Sequence, residues 1–278
     1  MAPVFLFRPP SPALRDIIAC HQIIRLRFAP DQAVPIKAYW PRPAMALAFY
    51  PRDAERVRLI GDKAVNHKPR AALIGQPTMM AHRQGGRDFS VYQIELCPGA
   101  LYHLTGIPAH RLTDGYVDAE AVFPPGFRAL VDRIEDAEDP EVMIALAEGW
   151  LAAQRAARPP SLSPATAWAA RALGQGAGFS LDALSHHANM DPRQLRRLFA
   201  QHMGISPKLY ARVARFDRAI RLHNRQPGED WLSIAIAAGY YDHQHMARDF
   251  RDFTGMAPTH FAALELAAPE RMFGHRES

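Results

Sequence analysis

Cysteine is nearly absent from this sequence: Cys20 and Cys97 are the only two in 278 residues. Two thiols in a chain this long build no disulfide framework, and a reducing cytoplasm is the expected compartment. No run of about 18 apolar residues occurs, so no membrane span is predicted. The opening Met1-Ala2-Pro3-Val4-Phe5 lacks the basic start and apolar stretch of a secretory signal. Phosphate-cradling loops of the Walker or Rossmann type are missing, and Arg83-Gln84-Gly85-Gly86-Arg87 reads as a turn. There is no Gly-x-Ser-x-Gly nucleophile elbow. His67, His82, His103 and His110 stand apart from one another, and the adjacent His186 and His187 point about 100° apart on a helix. Metal ligands must converge, and these do not. The sequence thus predicts no catalytic residues, no metal and no cofactor.

What is present is apolar content and localised positive charge. Hydrophobic residues make up 48% and charged residues 22%, enough to bury cores and exclude a disordered chain. The length suggests two domains at about 100–200 residues each. Net charge is only +5 overall. Yet residues 181–225 hold nine Lys/Arg against three Asp, a local excess of +6. Such a concentration suits a polyanionic partner or a solvated helix face, and charge alone does not choose between them.

Residues 1–130 read as mixed and β-rich. Short apolar runs at Ile23-Ile24, 44–50, 56–60 and 89–96 are broken by Pro and Gly, and Val91-Tyr92-Gln93-Ile94-Glu95-Leu96 alternates as a strand does. Helical character takes over after Phe127, with an amphipathic helix expected over Pro140–Ala157. Three prolines within 158–164 then mark a linker. Everything beyond it reads as helical.

The strongest signal is an internal repeat with a period of 51 residues. Leu181 falls on Leu232, Ala188 on Gly239, Asp191 on Asp242, Leu195 on Met246 and Arg197 on Arg248. In the same register Phe199 falls on Phe250, Gly204 on Gly255, Pro207 on Pro258 and Tyr210 on Phe261. Each copy reads as a short helix (181–187, then 232–238), a tight turn, an Asp positioned as N-cap, and a second helix. That is the plan of a helix-turn-helix, whose second helix enters the DNA major groove. The second helices expose Arg193, Gln194, Arg196 and Arg197 in one copy and Gln244, His245, Ala247, Arg248 and Arg251 in the other. Arg can grip a guanine edge and Gln an adenine edge with paired hydrogen bonds, and the free N–H groups of a helix N-terminus suit phosphate. Between the copies, Ser206 and Pro207 open a helix expected over residues 207–223. Its Arg212, Arg215, Arg218 and Arg221 either contact phosphates or pair with acids such as Asp217.

Two stretches carry a family resemblance: Leu195-Arg196-Arg197-Leu198-Phe199 with Gly204-Ile205-Ser206-Pro207, and Gly239-Tyr240-Tyr241-Asp242 through Phe250 with Thr254-Gly255-Met256-Ala257-Pro258. Residues 181–261 resemble the DNA-binding domain of the AraC/XylS family of bacterial transcriptional regulators. Trp231, His243 and His245 depart from the residues usual there. The resemblance implies an α+β chain: an N-terminal β-rich, cupin-like sensing or dimerising domain (1–157), the linker (158–164), an all-α domain with two helix-turn-helix units joined by a long helix (165–268), and a tail (269–278). It implies base contacts at Arg193, Arg196, Arg197, Gln244, His245 and Arg248. Phosphate contacts are expected at Gln194, Lys208, Arg212 and Arg251. The implied partners are double-stranded DNA, RNA polymerase, a small-molecule effector and, optionally, a second copy of the chain. The expected function is a sequence-specific activator. The alternative is an enzyme, or a thiol or metal sensor, fused to a DNA-binding module. Cys97 reads as a buried small hydrophobe, or else as a sensing thiol. Tyr39, Trp40, Phe49, Tyr50 and Tyr92 are core or line an effector pocket.

Overall fold

The computed structural model describes residues 3–157, 163–176 and 180–266. Of the expected linker only Ser163 and Pro164 are among these, and the expected tail lies outside them. The first part contains ten strands: β1 (Val4–Arg8), β2 (Ile18–Arg27), β3 (Lys37–Tyr39), β4 (Met45–Phe49), β5 (Arg56–Leu59), β6 (Asn66–His67), β7 (Ala71–Ile74), β8 (Ala81–Gln84), β9 (Asp88–Leu96) and β10 (Tyr116–Asp118). They form a six-stranded sheet, β1-β2-β9-β4-β7-β10, and a four-stranded sheet, β3-β8-β5-β6. The registered pairings are antiparallel, with β9 between β2 and β4.

Side chains alternate across a strand, so one strand serves two layers. On β9, Tyr92, Ile94 and Leu96 enter a core shared with helices, while Val91, Gln93 and Glu95 face the space between the sheets. The helices on the outer side are α1 (Ala100–Thr105), α2 (Ala119–Val122), α3 (Gly126–Asp136) and α4 (Pro140–Ala157). Phe127, Leu130, Val131 and Ile134 of α3 and Met143, Ala147 and Leu151 of α4 complete that core. α4 spans the expected residues. Helical structure begins earlier than Phe127, however, because α1 is a six-residue insert bounded by left-handed Gly99 and Gly106. The expected turn 83–87 is also shorter, since Arg83 and Gln84 belong to β8.

The second part is all helical: α5 (Pro164–Gly174), α6 (Leu181–His187), α7 (Pro192–Met203), α8 (Pro207–Arg225), α9 (Trp231–Ala238), α10 (His243–Thr254) and α11 (Pro258–Leu266). Among the described residues, no helix is long and apolar enough to cross a membrane. An aromatic cluster centres on Phe216 of α8, whose ring lies 4.8 Å from Phe250, 5.1 Å from Phe253 and 6.3 Å from Phe261.

This helical core also takes in Ala38, Trp40 and Met80 from the β-rich part. Trp40 is 3% exposed; its indole N–H donates to Asp217 of α8 at 3.0 Å, and its ring meets Phe261 edge-on at 6.0 Å. The β-rich part also donates to a carbonyl at the end of each second helix. Thr113 Oγ1 bonds Gly204 O at 2.8 Å, after α7, and Met80 N–H bonds Phe253 O at 2.9 Å, in α10. Gly204 has φ +84°, and a Cβ there would press on Gln76, Thr113 and Ala109. Only glycine satisfies both the left-handed cap and that close approach. Replacing the central ring, Phe216→Ala, is expected to lower unfolding stability by about 3–5 kcal/mol in urea denaturation.

Candidate DNA interface and inter-sheet cavity

Both helix-turn-helix units are held by short-range capping. The Asp191 carboxylate accepts from the N–H groups of Arg193 (2.8 Å) and Gln194 (3.2 Å), and Asp242 accepts from His245 N–H at 2.6 Å. Ser206 caps α8 through Leu209 N–H at 3.3 Å. The two Asp caps occupy N–H groups expected to suit phosphate, and they place a carboxylate at the start of α7 and of α10. The turns differ between the copies. Gly239 carries the left-handed residue in the second, whereas in the first it falls one position later, on Asn189 with φ 49°.

On α7, Arg193, Gln194, Arg196 and Arg197 are all exposed, while Leu195 and Phe199 are fully buried. Lys208, in the first turn of α8, is exposed as well. On α10, Gln244, Arg248 and Arg251 are exposed. His245 is half-buried, its ring edge-on to Tyr240 at 5.5 Å. Ala247 does not face outward as expected. It is 6% exposed, because it lies three residues before Phe250 on a core arc that also includes Met246 and Phe253. The second outer face is therefore narrower than the first.

The spacer helix runs to Arg225, two residues beyond expectation. Its arginines work inside the fold. Arg212 bonds Asp249 at 2.9 Å and Asp252 at 2.5 Å, tying α8 to α10. Arg215 lies 5.3 Å from the Tyr240 ring centre. Arg218 donates to Ala238 O at 2.9 Å and Gly174 O at 2.6 Å, which satisfies carbonyls at the C-terminal ends of α9 and α5. Arg221 bonds Asp217 at 2.8 Å. Of the two roles weighed for this row, pairing inside the domain is the one these contacts fit.

Between the two sheets lies a cavity of about 440 Å³. Tyr39, Trp40 and Tyr50 line it, whereas Phe49 and Tyr92 stack on each other, 5.6 Å between ring centres, in the core on the far side of the sheet. Sequence reasoning missed its charged wall. Lys68 Nζ lies 2.7 Å from Glu55 and donates to Tyr50 Oη at 2.9 Å; Tyr50 donates to Glu55 at 3.0 Å. Burial, with Arg83 nearby, pushes Lys68 down to about 8. Burial alone would raise the Glu55 carboxyl, but Lys68 and Arg83 outweigh it and hold that group below its ordinary value. Arg83 stacks on Tyr39 at 4.1 Å. Its one sequence signal is alternation: Ala81 and Arg83 of β8 point the same way, into the cavity.

Cys97 is half-buried and packs against the main core. Burial, reinforced by Asp16 and Glu95, pushes its thiol up to about 11, so the nucleophilic thiolate is scarce near neutrality.

Arg212→Ala leaves Asp249, whose side chain is 1% exposed, without its ion pair. It is expected to cost about 3 kcal/mol of stability, whereas Arg197→Ala on the exposed face changes stability by less than about 0.5 kcal/mol. Parallel urea titrations of the two variants check this.

Residues 184–263 match the family model of a helix-turn-helix domain. No curated protein matches the chain. Among solved structures it is similar to the apo form of a ToxT variant from Vibrio cholerae strain SCE256, at 8% identity over 92% of this chain and 99% of that one, with a TM-score of 0.50. The C-terminal domain of AraT, a response regulator from Geobacillus stearothermophilus, matches at 21% identity over 37% of this chain and 88% of its own, TM-score 0.34. The AraC-like transcriptional activator CuxR matches at 14% identity over 77% and 85%, TM-score 0.28. At 8% identity the likeness to the ToxT variant is one of fold. Residues 184–263 thus form a helix-turn-helix domain of two units, set behind a β-rich N-terminal part.

Proposed function

We propose that this regulator is a sequence-specific activator whose α7 and α10 read successive major-groove segments, under control of a small molecule held between the two sheets. The observation that carries the DNA reading is the pair of capped units in one register, each turning arginine and glutamine outward. α8 has 19 residues and so spans about 28 Å. That length suits two recognition helices set near one DNA turn, about 34 Å apart. Base contacts fall to Arg193, Arg196 and Arg197 from α7 and to Gln244, His245 and Arg248 from α10. Gln194, Lys208 and Arg251 take phosphates. Arg212 is left out of this set because of its two Asp partners. Recognition from one chain makes a homodimer optional. RNA polymerase is the partner in activation, and the cytoplasm is the compartment, as the resemblance implies.

Control by a ligand is supported by position. Trp40 lines the cavity and also bonds Asp217 on the helix that joins the two DNA-reading units. A molecule in the cavity therefore touches a residue seated in the helical core.

Selection of bound sites from random DNA should yield one enriched motif with two half-sites about one turn apart. On that motif Arg197→Ala and Arg248→Ala should each cost about 1–3 kcal/mol and relax preference at separate base pairs. Lys208→Ala should weaken binding to every sequence alike and reduce the salt slope by about one. Absence of a motif, or wild-type binding by both arginine variants, overturns the DNA assignment.

A further inference from the structure

We infer that Tyr241, in the turn before α10, binds a DNA phosphate through its hydroxyl and anchors the second unit on the duplex. This rests on the reading of α10 as a DNA-reading helix. It starts from a break in the repeat. The second helices follow the step of 51 residues, with Asp191 and Asp242 as their caps. For the first helices the structure sets the step at 50: Ser180, Leu184, Asn189 and Met190 fall on Asp230, Ile234, Gly239 and Tyr240. Ser180 caps α6 through Ala183 N–H at 3.1 Å, and Asp230 caps α9 through Ser233 N–H at 3.0 Å. Leu184 and Ile234 are each 1% exposed, and Asn189 and Gly239 are both left-handed. Met190 N–H bonds Ser185 O at 3.0 Å, and Tyr240 N–H bonds Ala235 O at 2.9 Å. Tyr240 then enters the helical core, and Met190 packs against it. After Met190 the cap Asp191 follows at once. After Tyr240 one further residue, Tyr241, stands before Asp242.

The inserted residue takes no part in the packing. It is 86% exposed, the most exposed of the large apolar side chains among the described residues. A single exposed ring is ordinary on a protein surface, so its place carries the argument. A helix-turn-helix meets DNA with the N-terminal end of its second helix, and Tyr241 stands at that end, ahead of the exposed Gln244 and Arg248. The charge there opposes DNA. No Lys or Arg lies between Arg225 and Arg248, whereas Glu229, Asp230 and Asp242 do. The Asp242 carboxylate also takes His245 N–H, a group that a helix start otherwise offers to phosphate. The first unit offsets the same kind of carboxylate with a cation, the exposed Arg193, two residues after its cap. At that position α10 has the neutral Gln244. The second unit therefore needs another phosphate donor at its start. Tyrosine hydroxyls are among the groups that bind phosphate oxygens in protein–DNA complexes. The phenol is also longer than the Asp242 side chain, so its donor reaches past the carboxylate.

The test uses the full chain on its selected DNA motif. Tyr241→Phe keeps the ring and removes the donor. It should weaken binding about tenfold, as expected for a hydrogen bond to a charged group. The salt slope should stay as in wild type, because no cation is lost, and so should base preference, because a phosphate carries no sequence. Lys208→Ala, in contrast, lowers the slope. Duplexes carrying one neutral methylphosphonate at a time across the second half-site locate the contact. At one position the replacement should weaken wild type and leave Tyr241→Phe unaffected. Wild-type DNA affinity in Tyr241→Phe overturns the inference. So does a relaxed base preference in that variant, or a methylphosphonate scan that weakens both proteins alike at every position. A loss seen with Tyr241→Ala but not with Tyr241→Phe assigns the ring and not the hydroxyl, and overturns the phosphate contact. Arg248→Ala separates the two levels. If it too binds as wild type, the reading of α10 fails; if it loses affinity while Tyr241→Phe does not, only the present inference fails.

Discussion

The burial of Trp40 in the helical core joins the two parts of this molecule. The indole leaves the end of β3 and enters a core otherwise built by the DNA-binding helices. Asp217, only 7% exposed, sits against it and takes donors from both sides, the indole N–H from the sheet part and Arg221 from its own helix. A buried carboxylate left without donors is expensive, so the pair resists separation. The same contact surface meets carbonyls at the ends of both recognition helices, through Thr113 at Gly204 and Met80 at Phe253. The β-rich part thereby touches the C-terminal ends of α7 and α10 as well as α8 between them.

Within the helical part the duplication is functional at one level and structural at another. Asp caps, left-handed glycines after the second helices and a proline three residues later recur in both copies because each solves the same local problem at a helix end. The outer faces carry no such obligation, and there the copies diverge. The first presents three arginines. The second presents Gln244 and Arg248 beside a half-buried His245, with Ala247 withdrawn into the core. The shift of the left-handed residue from Gly239 to Asn189 is a second divergence, at the turn itself.

What could be read from the sequence was what neighbours decide. N-caps at Asp191, Ser206 and Asp242, the β9 strand and the bounds of α4 depend on residues within a few positions, and each was legible. The arginines of α8 were legible only in part: pairing of Arg221 with Asp217, four positions away, is within reach of the sequence, but the partners of Arg212 and Arg218 are not. Residues at three-residue spacing look like a basic stripe, but two of the partners lie far along the chain: Asp249 is 37 positions from Arg212, and Gly174 is 44 from Arg218. Ala247 was misplaced because an alanine fits either face, and only the packing of Met246 and Phe250 fixes which. The charged cavity wall was hidden for a related reason. Glu55, Lys68 and Arg83 come from separate strands of the four-stranded sheet and its connections, so only sheet pairing assembles them.

That assembly puts the cavity and the domain contact on one continuous path. Met80, whose N–H bonds Phe253, lies between the cavity residues Met79 and Ala81; Trp40 is itself cavity wall. A ligand shifts an equilibrium only by as much as it prefers one state to the other. For the ligand proposed above, the contacts of Trp40 and Met80 would be the physical seat of that preference. If the β3 and β8 ends settle differently around an occupant, the bonds to Asp217 and Phe253 change with them, and those bonds reach the spacer and one recognition helix directly. On the proposed reading, a ligand that displaced Trp40 would act on a packed core that does not deform smoothly, and so would bear on how α8 and α10 seat.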